Sequence, residues 1–161
     1  MGHRIHGDRR RQTRGIGWEH VHVCVDDASR VAYVEVLASA TQVDAIGFLT
    51  RAVGWFAQRG VSVERVMTDN GSAYVSRAFA TTCDRLALRH IRTRPYTPRT
   101  NGKAERFIQT LLREWAYVRP YRSSALRRRR LAAYVRHYNR RRPHTSLNFT
   151  APLARLQELA P

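Results

Sequence analysis

The chain has 161 residues, a length that favours one compact domain and leaves little room for a second independent core. Lysine and arginine number 29 against 12 acidic residues, a formal net charge of +17, while 43% hydrophobic residues argue against disorder. Such a charge attracts polyanions and favours nucleic acid as the partner, whereas no apolar run reaches the roughly 18 residues typical of a membrane span.

The amino-terminal part of the chain predicts an arm followed by a β-hairpin. Residues 1–16 are polar and rich in arginine, and no strand is predicted there. Valines alternate with polar residues over 17–26, and β-branched and aromatic residues return over 31–37, so two antiparallel strands are expected. His20 and His22 lie on one face of the first strand. Because no two further soft ligands lie nearby, an ordinary strand surface is expected rather than a metal site.

A helix and a short strand follow the hairpin. Thr41 and Asp44 stand at the spacing of a capping box and open a helix whose apolar face continues to Gly60. The β-rich run 61–67 then leads into a turn that begins with Asp69. Asp69 is therefore predicted at the carboxyl end of a strand.

The second half of the chain alternates helices with one more strand. A helix is predicted over 78–86 and a strand over 88–91, before two prolines and a glycine interrupt regular structure in the loop 94–102. Apolar residues at helical spacing then predict helices over 103–117 and 124–138. This order of elements is typical of an α/β fold.

Asp69 and Glu105 are the acidic residues whose context suggests chemistry. Asp69 follows a strand, and Glu105 lies in the first turns of a helix that a loop rich in proline and glycine introduces. Mg²⁺ and Mn²⁺ prefer oxygen ligands, so a phosphoryl-transfer site needs carboxylates from different elements. On spacing alone, a turn-capping aspartate and a solvated helix glutamate are favoured over a pair of metal ligands, because 12 acidic residues produce many such intervals.

Four segments of the chain together resemble one protein family. Residues 68–74 and 94–107 resemble the second and third blocks of the DDE integrase core that bacterial insertion-sequence transposases share with retroviral integrases. Residues 17–30 and 138–147 resemble the same family, so the match covers about residues 17 to 153. The resemblance implies a ribonuclease H-like mixed sheet with flanking helices.

The resemblance also implies a division of the chain and a set of site residues. We expect the polar arm over 1–16, an integrase-type catalytic core over 17–122, and a carboxyl-terminal helix and basic extension over 123–161 packed on the core. Asp69 and Glu105 would be catalytic ligands of Mg²⁺ or Mn²⁺. Four polar residues lie beside them and either contact DNA phosphates, which is the favoured interpretation, or are simply solvated: Arg99, Asn101, Lys103 and Arg106.

One family feature has no counterpart in the sequence. The first catalytic aspartate of the family lies on a strand before residue 17, and only the polar arm occupies that place. We therefore expect the central first strand of the sheet to be missing and two strand edges to be unpaired, as in an amino-terminally truncated protein. Asp26 and Asp27 either start a turn or substitute for the missing ligand.

The expected function is DNA transposition or integration by metal-dependent strand cleavage and transfer, with loss of activity in this fragment left open. The alternative is a noncatalytic DNA-binding or subunit-interacting remnant of a transposase. A ribonuclease H or Holliday-junction nuclease would share the fold, but residues 95–107 resemble integrases instead.

The expected partner is double-stranded DNA, as transposon ends and target, with self-association of the complete protein and no membrane. Cys24 and Cys83 lack zinc-ligand spacing, which suits a reducing bacterial cytoplasm near the nucleoid. The runs 127–130 and 140–142 are read either as hydrated surface or as a DNA-backbone footprint.

Overall fold

The structure is a computed structural model that describes residues 2–4, 18–93, 102–119 and 121–159. Its backbone divides into two compact units. The first unit comprises Met1–Val36 and Lys103–Pro161, and the second comprises Leu37–Gly102. Among the described residues, no helix is long and apolar enough to cross a bilayer. The predicted boundaries of arm, core and extension remain a prediction.

The first unit contains a three-stranded sheet in the order β1-β2-β3. Strand β2 (Trp18–Val25) and strand β3 (Ala32–Leu37) form the predicted hairpin around a tight turn. Valines on one face of β2 and β3 point into the core of this unit because they alternate with polar residues. His22, on the other face, is also buried, so the prediction that it lies on an ordinary strand surface is wrong.

The prediction of no strand before residue 17 is also wrong. Strand β1 (Gly2–Arg4) pairs antiparallel with β2, with Gly2 opposite His20 and Arg4 opposite Trp18. Strand pairing uses backbone groups alone, so a short polar segment can cover an open edge without β-rich side chains. The edge of β2 that was expected to be unpaired is therefore partly covered.

The second unit contains a β–α–β arrangement with one additional helix. Helix α1 (Gln42–Ala57) precedes strand β4 (Arg65–Thr68), helix α2 (Arg77–Arg85) and strand β5 (Arg89–Arg92). Strands β4 and β5 pair in parallel, with Thr68 opposite Arg92, and they form a two-stranded sheet. The buried side chains of this unit lie between α1, α2 and the sheet. The predicted strand over 61–67 is shifted towards its carboxyl end.

The start of α1 differs from the predicted capping box. Thr41 occupies the N-cap position, but its side chain caps no backbone N–H. Asp44 instead accepts a hydrogen bond from the backbone N–H of Ser39 at 3.0 Å, two residues before the expected partner. The carboxylate still satisfies a donor ahead of the helix and still lies near its positive end.

Helix α3 (Gly102–Leu111) continues into a π-helical turn over Leu112–Ala116. The backbone N–H of Tyr117 donates to the carbonyl of Leu112 at 3.0 Å, which is the five-residue spacing of a π turn. The turn buries Trp115 and Ala116. The sequence pattern predicted one uninterrupted helix here because both forms bury apolar residues at similar spacing.

Two helices complete the first unit. Helix α4 (Ser124–Arg141) extends three residues beyond its predicted end, and the unpredicted helix α5 (Pro152–Leu159) follows a 3-10 turn over Thr145–Leu147. The rings of Phe107 on α3 and Tyr138 on α4 meet edge to face, with their centroids 4.7 Å apart. Together they pack α3 and α4 against the hairpin.

A side-chain amide joins α4 to the edge of β3. Asn139 Oδ1 accepts from the backbone N–H of Ala32 at 2.8 Å, and its Nδ2 donates to the carbonyl of Ala32 at 2.8 Å. Both residues are buried. The amide thus replaces the hydrogen bonds that a further strand would make to this residue.

We predict that Asn139→Ala lowers the free energy of unfolding by about 2–4 kcal/mol, because it leaves two buried backbone groups without partners. Urea denaturation followed by circular dichroism measures this change. Gln109→Ala, at an exposed position of α3, is the control and should change stability by less than about 0.5 kcal/mol. Equal stabilities for the two variants would contradict the assigned role of Asn139.

Candidate functional site

Asp69 lies immediately after β4, as the sequence predicted, and its side chain is exposed. Both of its neighbours in the chain are held by Thr93, the residue that follows β5. The carbonyl of Thr68 accepts from the backbone N–H of Thr93 at 2.9 Å, and Asn70 Nδ2 donates to the carbonyl of Thr93 at 2.8 Å. The exposed carboxylate is therefore carried by a backbone segment that is held on both sides.

A histidine that the sequence did not single out supports this segment. Thr68 Oγ1 donates to the carbonyl of Asp69 at 2.9 Å and lies 2.9 Å from His90 Nε2. A hydroxyl has one proton, so His90 Nε2 is the donor in this pair. Burial, followed by the nearby Arg92 charge, lowers the pKa of His90 and favours the neutral imidazole. Only the pairing of β5 with β4 reveals this contact.

The glycine after Asn70 has a steric reason. The backbone N–H of Gly71 donates to Asp69 Oδ1 at 2.9 Å. A Cβ at position 71 would lie 3.0 Å from the same Oδ1, closer than nearly all real contacts of this kind. Gly71 therefore lets the aspartate fold back on its own turn, an arrangement typical of aspartate at a strand end.

Glu105 lies in the first turn of α3, again as predicted, and its side chain is exposed. Phe107 and Leu111 are buried on the other side of the helix, which directs the carboxylate away from the core. A carboxylate is favoured near the positive end of a helix. Neither Glu105 nor Asp69 forms an ion pair with a residue that the structure describes. Glu105 belongs to the first unit, and Asp69 belongs to the second unit.

The two hairpin aspartates have distinct contacts. Asp26 Oδ2 accepts from the backbone N–H of Ser29 at 2.7 Å and from its hydroxyl at 2.6 Å, so Asp26 has the turn role that was one of its two readings. Asp27 forms an ion pair with Lys103 at the start of α3, and Lys103 Nζ also donates to the Asp27 carbonyl at 3.2 Å.

The four predicted DNA-contact residues divide into two pairs. Arg106 is exposed on α3, and Lys103 is exposed although it pairs with Asp27. Arg99 and Asn101 lie outside the described residues, as does most of the predicted loop 94–102. The contact of all four with DNA remains a prediction.

The donor set fits a hard divalent ion only in part. Exposed carboxylate oxygens suit Mg²⁺ or Mn²⁺, and the hydrogen bond from Gly71 leaves Asp69 further lone pairs. Over the described ranges, however, no three histidine, cysteine or acidic side chains are grouped closely enough to hold a metal ion.

Burial, followed by the Asp26 charge, raises the pKa of Cys24 to about 12, so this thiol is protonated at neutral pH.

One arginine in the run 127–130 is neither hydrated nor available to DNA. Arg127 is 0% exposed, and its Nη1 lies 3.2 Å from Glu19 Oε2. Its guanidinium also stacks on Trp115, with Cζ 4.5 Å from the ring centroid. Arg128 Nε lies 2.9 Å from Glu19 Oε1. The helical spacing of Arg127 with the buried Leu131 is the sequence feature that indicates its burial.

Sequence models described as integrase core domain match residues 3–98 and 86–152, so the first match alone covers more than half of the chain. The chain belongs to the integrase core domain family.

Two relatives illustrate the sequence similarity within the integrase core domain family. The uncharacterized protein K02A2.6 of Caenorhabditis elegans is 32% identical over 130 residues, which are 81% of this chain and 10% of that protein. The putative transposase InsD for insertion element IS2E of Escherichia coli is 31% identical over 94 residues, which are 58% of this chain and 43% of that protein. The chain thus spans less than half of either relative.

Solved integrases share the fold. A chain of the simian T-cell lymphotropic virus intasome in complex with PP2A regulatory subunit B56 gamma has a TM-score of 0.72 and 27% identity, covering 89% of this chain and 51% of that chain. The catalytic core domain of BIV integrase has a TM-score of 0.68 and 19% identity, covering 87% of this chain and 86% of that chain. These structures confirm the predicted ribonuclease H-like fold class.

The carboxylate of Glu19 makes the stability of the fold depend on pH, because its pKa is lowered in the folded state. Burial by itself raises the pKa of Glu19, but hydrogen bonds from Ser124, Arg128 and Arg127 outweigh it and hold that pKa below its ordinary value. Because the carboxylate is favoured in the folded state, this contribution is present above the unfolded pKa and is lost as the pH falls through the lowered folded pKa.

We predict that Glu19→Gln lowers the free energy of unfolding at pH 7 by about 3–5 kcal/mol, since Arg127 then remains buried without a counter-charge. Urea denaturation at pH 7 and at pH 3 measures the effect, and the difference from wild type should shrink at the lower pH. Glu64→Gln, an exposed carboxylate, is the control. Restored stability on adding Arg127→Met to Glu19→Gln would support the ion-pair explanation, and no restoration would contradict it.

Proposed function

We propose that this chain is the catalytic core of a protein that cuts and joins DNA strands, with Asp69 and Glu105 as ligands of Mg²⁺ or Mn²⁺. Its membership of the integrase core domain family supports the reaction class. The observation that carries the residue assignment is that both carboxylates are exposed at the ends of regular elements, Asp69 after β4 and Glu105 in the first turn of α3.

The chemistry of the two side chains is consistent with this role. A divalent ion, when bound, would lower the pKa of attacking water and stabilise the charge that develops on a DNA phosphate. The chain contributes oxygen ligands of defined position: the Gly71 N–H orients Asp69, and the contacts of Thr68 and Asn70 with Thr93, just after β5, hold its backbone. For Glu105, the buried side of α3 has the corresponding role.

The proposed substrate is double-stranded DNA, both as element ends and as target. One of the matched structures is an intasome, and one of the relatives is named a transposase. We propose that Lys103 and Arg106, with Arg99 and Asn101, contact phosphates beside the carboxylates, that the complete protein self-associates, and that it acts at the bacterial nucleoid.

A second candidate is a noncatalytic DNA-binding or subunit-interacting protein that retains the integrase core fold. One observation favours it: within the part of the chain that the structure describes, no three metal-ligating side chains form a group. The two candidates share DNA binding and differ in whether a divalent ion binds and supports cleavage.

We predict that Asp69→Asn and Glu105→Gln each weaken Mn²⁺ binding at least about tenfold, because each removes one anionic oxygen ligand. Electron paramagnetic resonance of free Mn²⁺ during titration measures the binding. Asp84→Asn and Glu64→Gln, which remove exposed carboxylates elsewhere, are matched controls and should bind as wild type does. If either site variant binds Mn²⁺ as tightly as its control, that residue is not a ligand.

Nicking of supercoiled plasmid then separates the two candidates. The catalytic proposal expects Mn²⁺-dependent nicking that falls to background in Asp69→Asn and Glu105→Gln but persists in the two controls. DNA binding with no nicking by the wild-type chain would favour the noncatalytic candidate.

We predict that Lys103→Gln combined with Arg106→Gln reduces the salt slope of DNA binding by about 2, because two phosphate contacts are lost. Lys103 must exchange Asp27 for phosphate, which costs little for an exposed ion pair. Fluorescence anisotropy of a labelled duplex over a salt series measures the slope. Arg77→Gln combined with Arg85→Gln removes the same charge and should leave the slope unchanged; an equal reduction would refute a local contact.

A further inference from the structure

Helix α4 carries seven arginines and no acidic residue, and the structure divides its positive charge into two groups. Arg127 and Arg128 both pair with Glu19, and Arg142, just beyond the helix, pairs with Glu114 at 2.6 Å. The remaining five arginines of α4 are exposed and form no ion pair with a described residue: Arg129, Arg130, Arg136, Arg140 and Arg141. The uncompensated charge therefore lies on the outer side of the helix.

The exposed arginines are aligned along α4. At 3.6 residues per turn, Arg129, Arg136 and Arg140 lie within about 20° of one line, over a length of roughly 16 Å. That line is opposite the buried Leu131 and Tyr138. A parallel second row repeats the same spacing one residue later: Arg130, His137 and Arg141.

Small residues separate the charges within these rows. Ala132 and Ala133 are exposed between the first and second arginines of the rows. Their short side chains protrude little from the helix, so that a rod-like polyanion can approach the helix backbone closely. We name the surface formed by the two rows and these alanines the α4 arginine face.

This concentration of charge is unfavourable in the protein alone. Arg136 and Arg140 are four residues apart, and like charges at that spacing destabilise a helix. The five exposed arginines form no ion pair with a described acidic residue, and Asp8 is the only acidic residue outside the described part of the chain. Few internal counter-charges are therefore available to these arginines. Glu19 does not offset this charge, because its carboxylate is buried against Arg127. A bound polyanion would relieve the repulsion.

We propose that the α4 arginine face is a further contact surface for duplex DNA, which it binds through the phosphate backbone and without base recognition. Duplex DNA carries one charge per about 1.7 Å of its axis, so a row of roughly 16 Å faces about nine charges. Each arginine can find a phosphate in such a field, and its planar guanidinium can bind two phosphate oxygens. The choice of DNA as the polyanion rests on the proposed function.

Two other occupants fit the face less well. A membrane-surface helix needs bulky apolar residues beside its basic ones, but the bulky apolar residues of α4, such as Leu131 and Tyr138, are buried in the core. A second copy of the chain docked through this face about a two-fold axis would bring arginines against arginines. Neither objection applies to a phosphate backbone.

The test measures binding of a labelled duplex of about 30 base pairs and arbitrary sequence by fluorescence anisotropy, between about 0.05 and 0.3 M KCl. The variant combines Arg129→Gln, Arg136→Gln and Arg140→Gln. Loss of three phosphate contacts should reduce the salt slope by about 2.7 and weaken binding by roughly 10²- to 10³-fold at about 0.1 M salt. Its unfolding temperature should be no lower than that of wild type, since like-charge repulsion is reduced, and its Mn²⁺ binding should match wild type.

Two control variants make the result specific. Arg77→Gln, Arg85→Gln and Arg89→Gln together remove the same charge from exposed positions of the second unit and should leave the slope unchanged. A second control replaces the three face arginines by lysine and should retain the slope, because charge is kept.

Three outcomes would overturn the inference: an unchanged slope in the glutamine variant, an equal loss in the second-unit control, or preferential face-dependent binding of duplex RNA. Failure of the proposed catalytic function is separable, since Asp69→Asn removes metal binding and should leave the DNA slope intact.

Discussion

The docking of α4 on the β2–β3 hairpin is the constraint on which the first unit depends. It combines an amide of Asn139 that takes both hydrogen bonds of Ala32 with a buried ion pair between Glu19 and Arg127. Substituting only one partner of either contact is costly, because the other partner then stays buried without a hydrogen bond or counter-charge. They therefore specify one position of the helix against the sheet, where apolar contacts alone would tolerate sliding. Helix α3 with Glu105 packs against the same core.

The two carboxylates of the proposed site reach their positions by different physical means. Asp69 depends on short-range geometry: the residue that follows a parallel neighbour strand holds the residues before and after it, and a glycine leaves room for its side chain. Glu105 depends on packing, since the buried face of α3 decides which way the first turn points. Substitutions of Gly71 and of buried α3 residues should consequently disturb the two groups independently, without touching either carboxylate.

Much of the architecture was predictable because periodicity reports burial directly. The valine alternation of β2 and the strand-end position of Asp69 were correctly predicted. Contacts between distant residues were not predictable. The burial of His22 depends on what covers it, which no local pattern encodes. The spacing of Arg127 with Leu131 indicates that Arg127 is buried, but it does not identify Glu19 as its partner. The metal-ligand assignment came from resemblance rather than spacing, and it remains a prediction.

The π turn over Leu112–Ala116 contains one residue more than a regular α-helix would place there. Removing one residue from the turn would give a regular α-helix and leave the residues downstream in about the same direction, because five residues of a π turn cover about the rotation that four cover in an α-helix. A deletion in the regular part of α3 would instead rotate Trp115 by about 100°, away from the guanidinium of Arg127 against which it stacks. Homologues are therefore expected to tolerate the loss of one residue within this turn better than a loss earlier in α3.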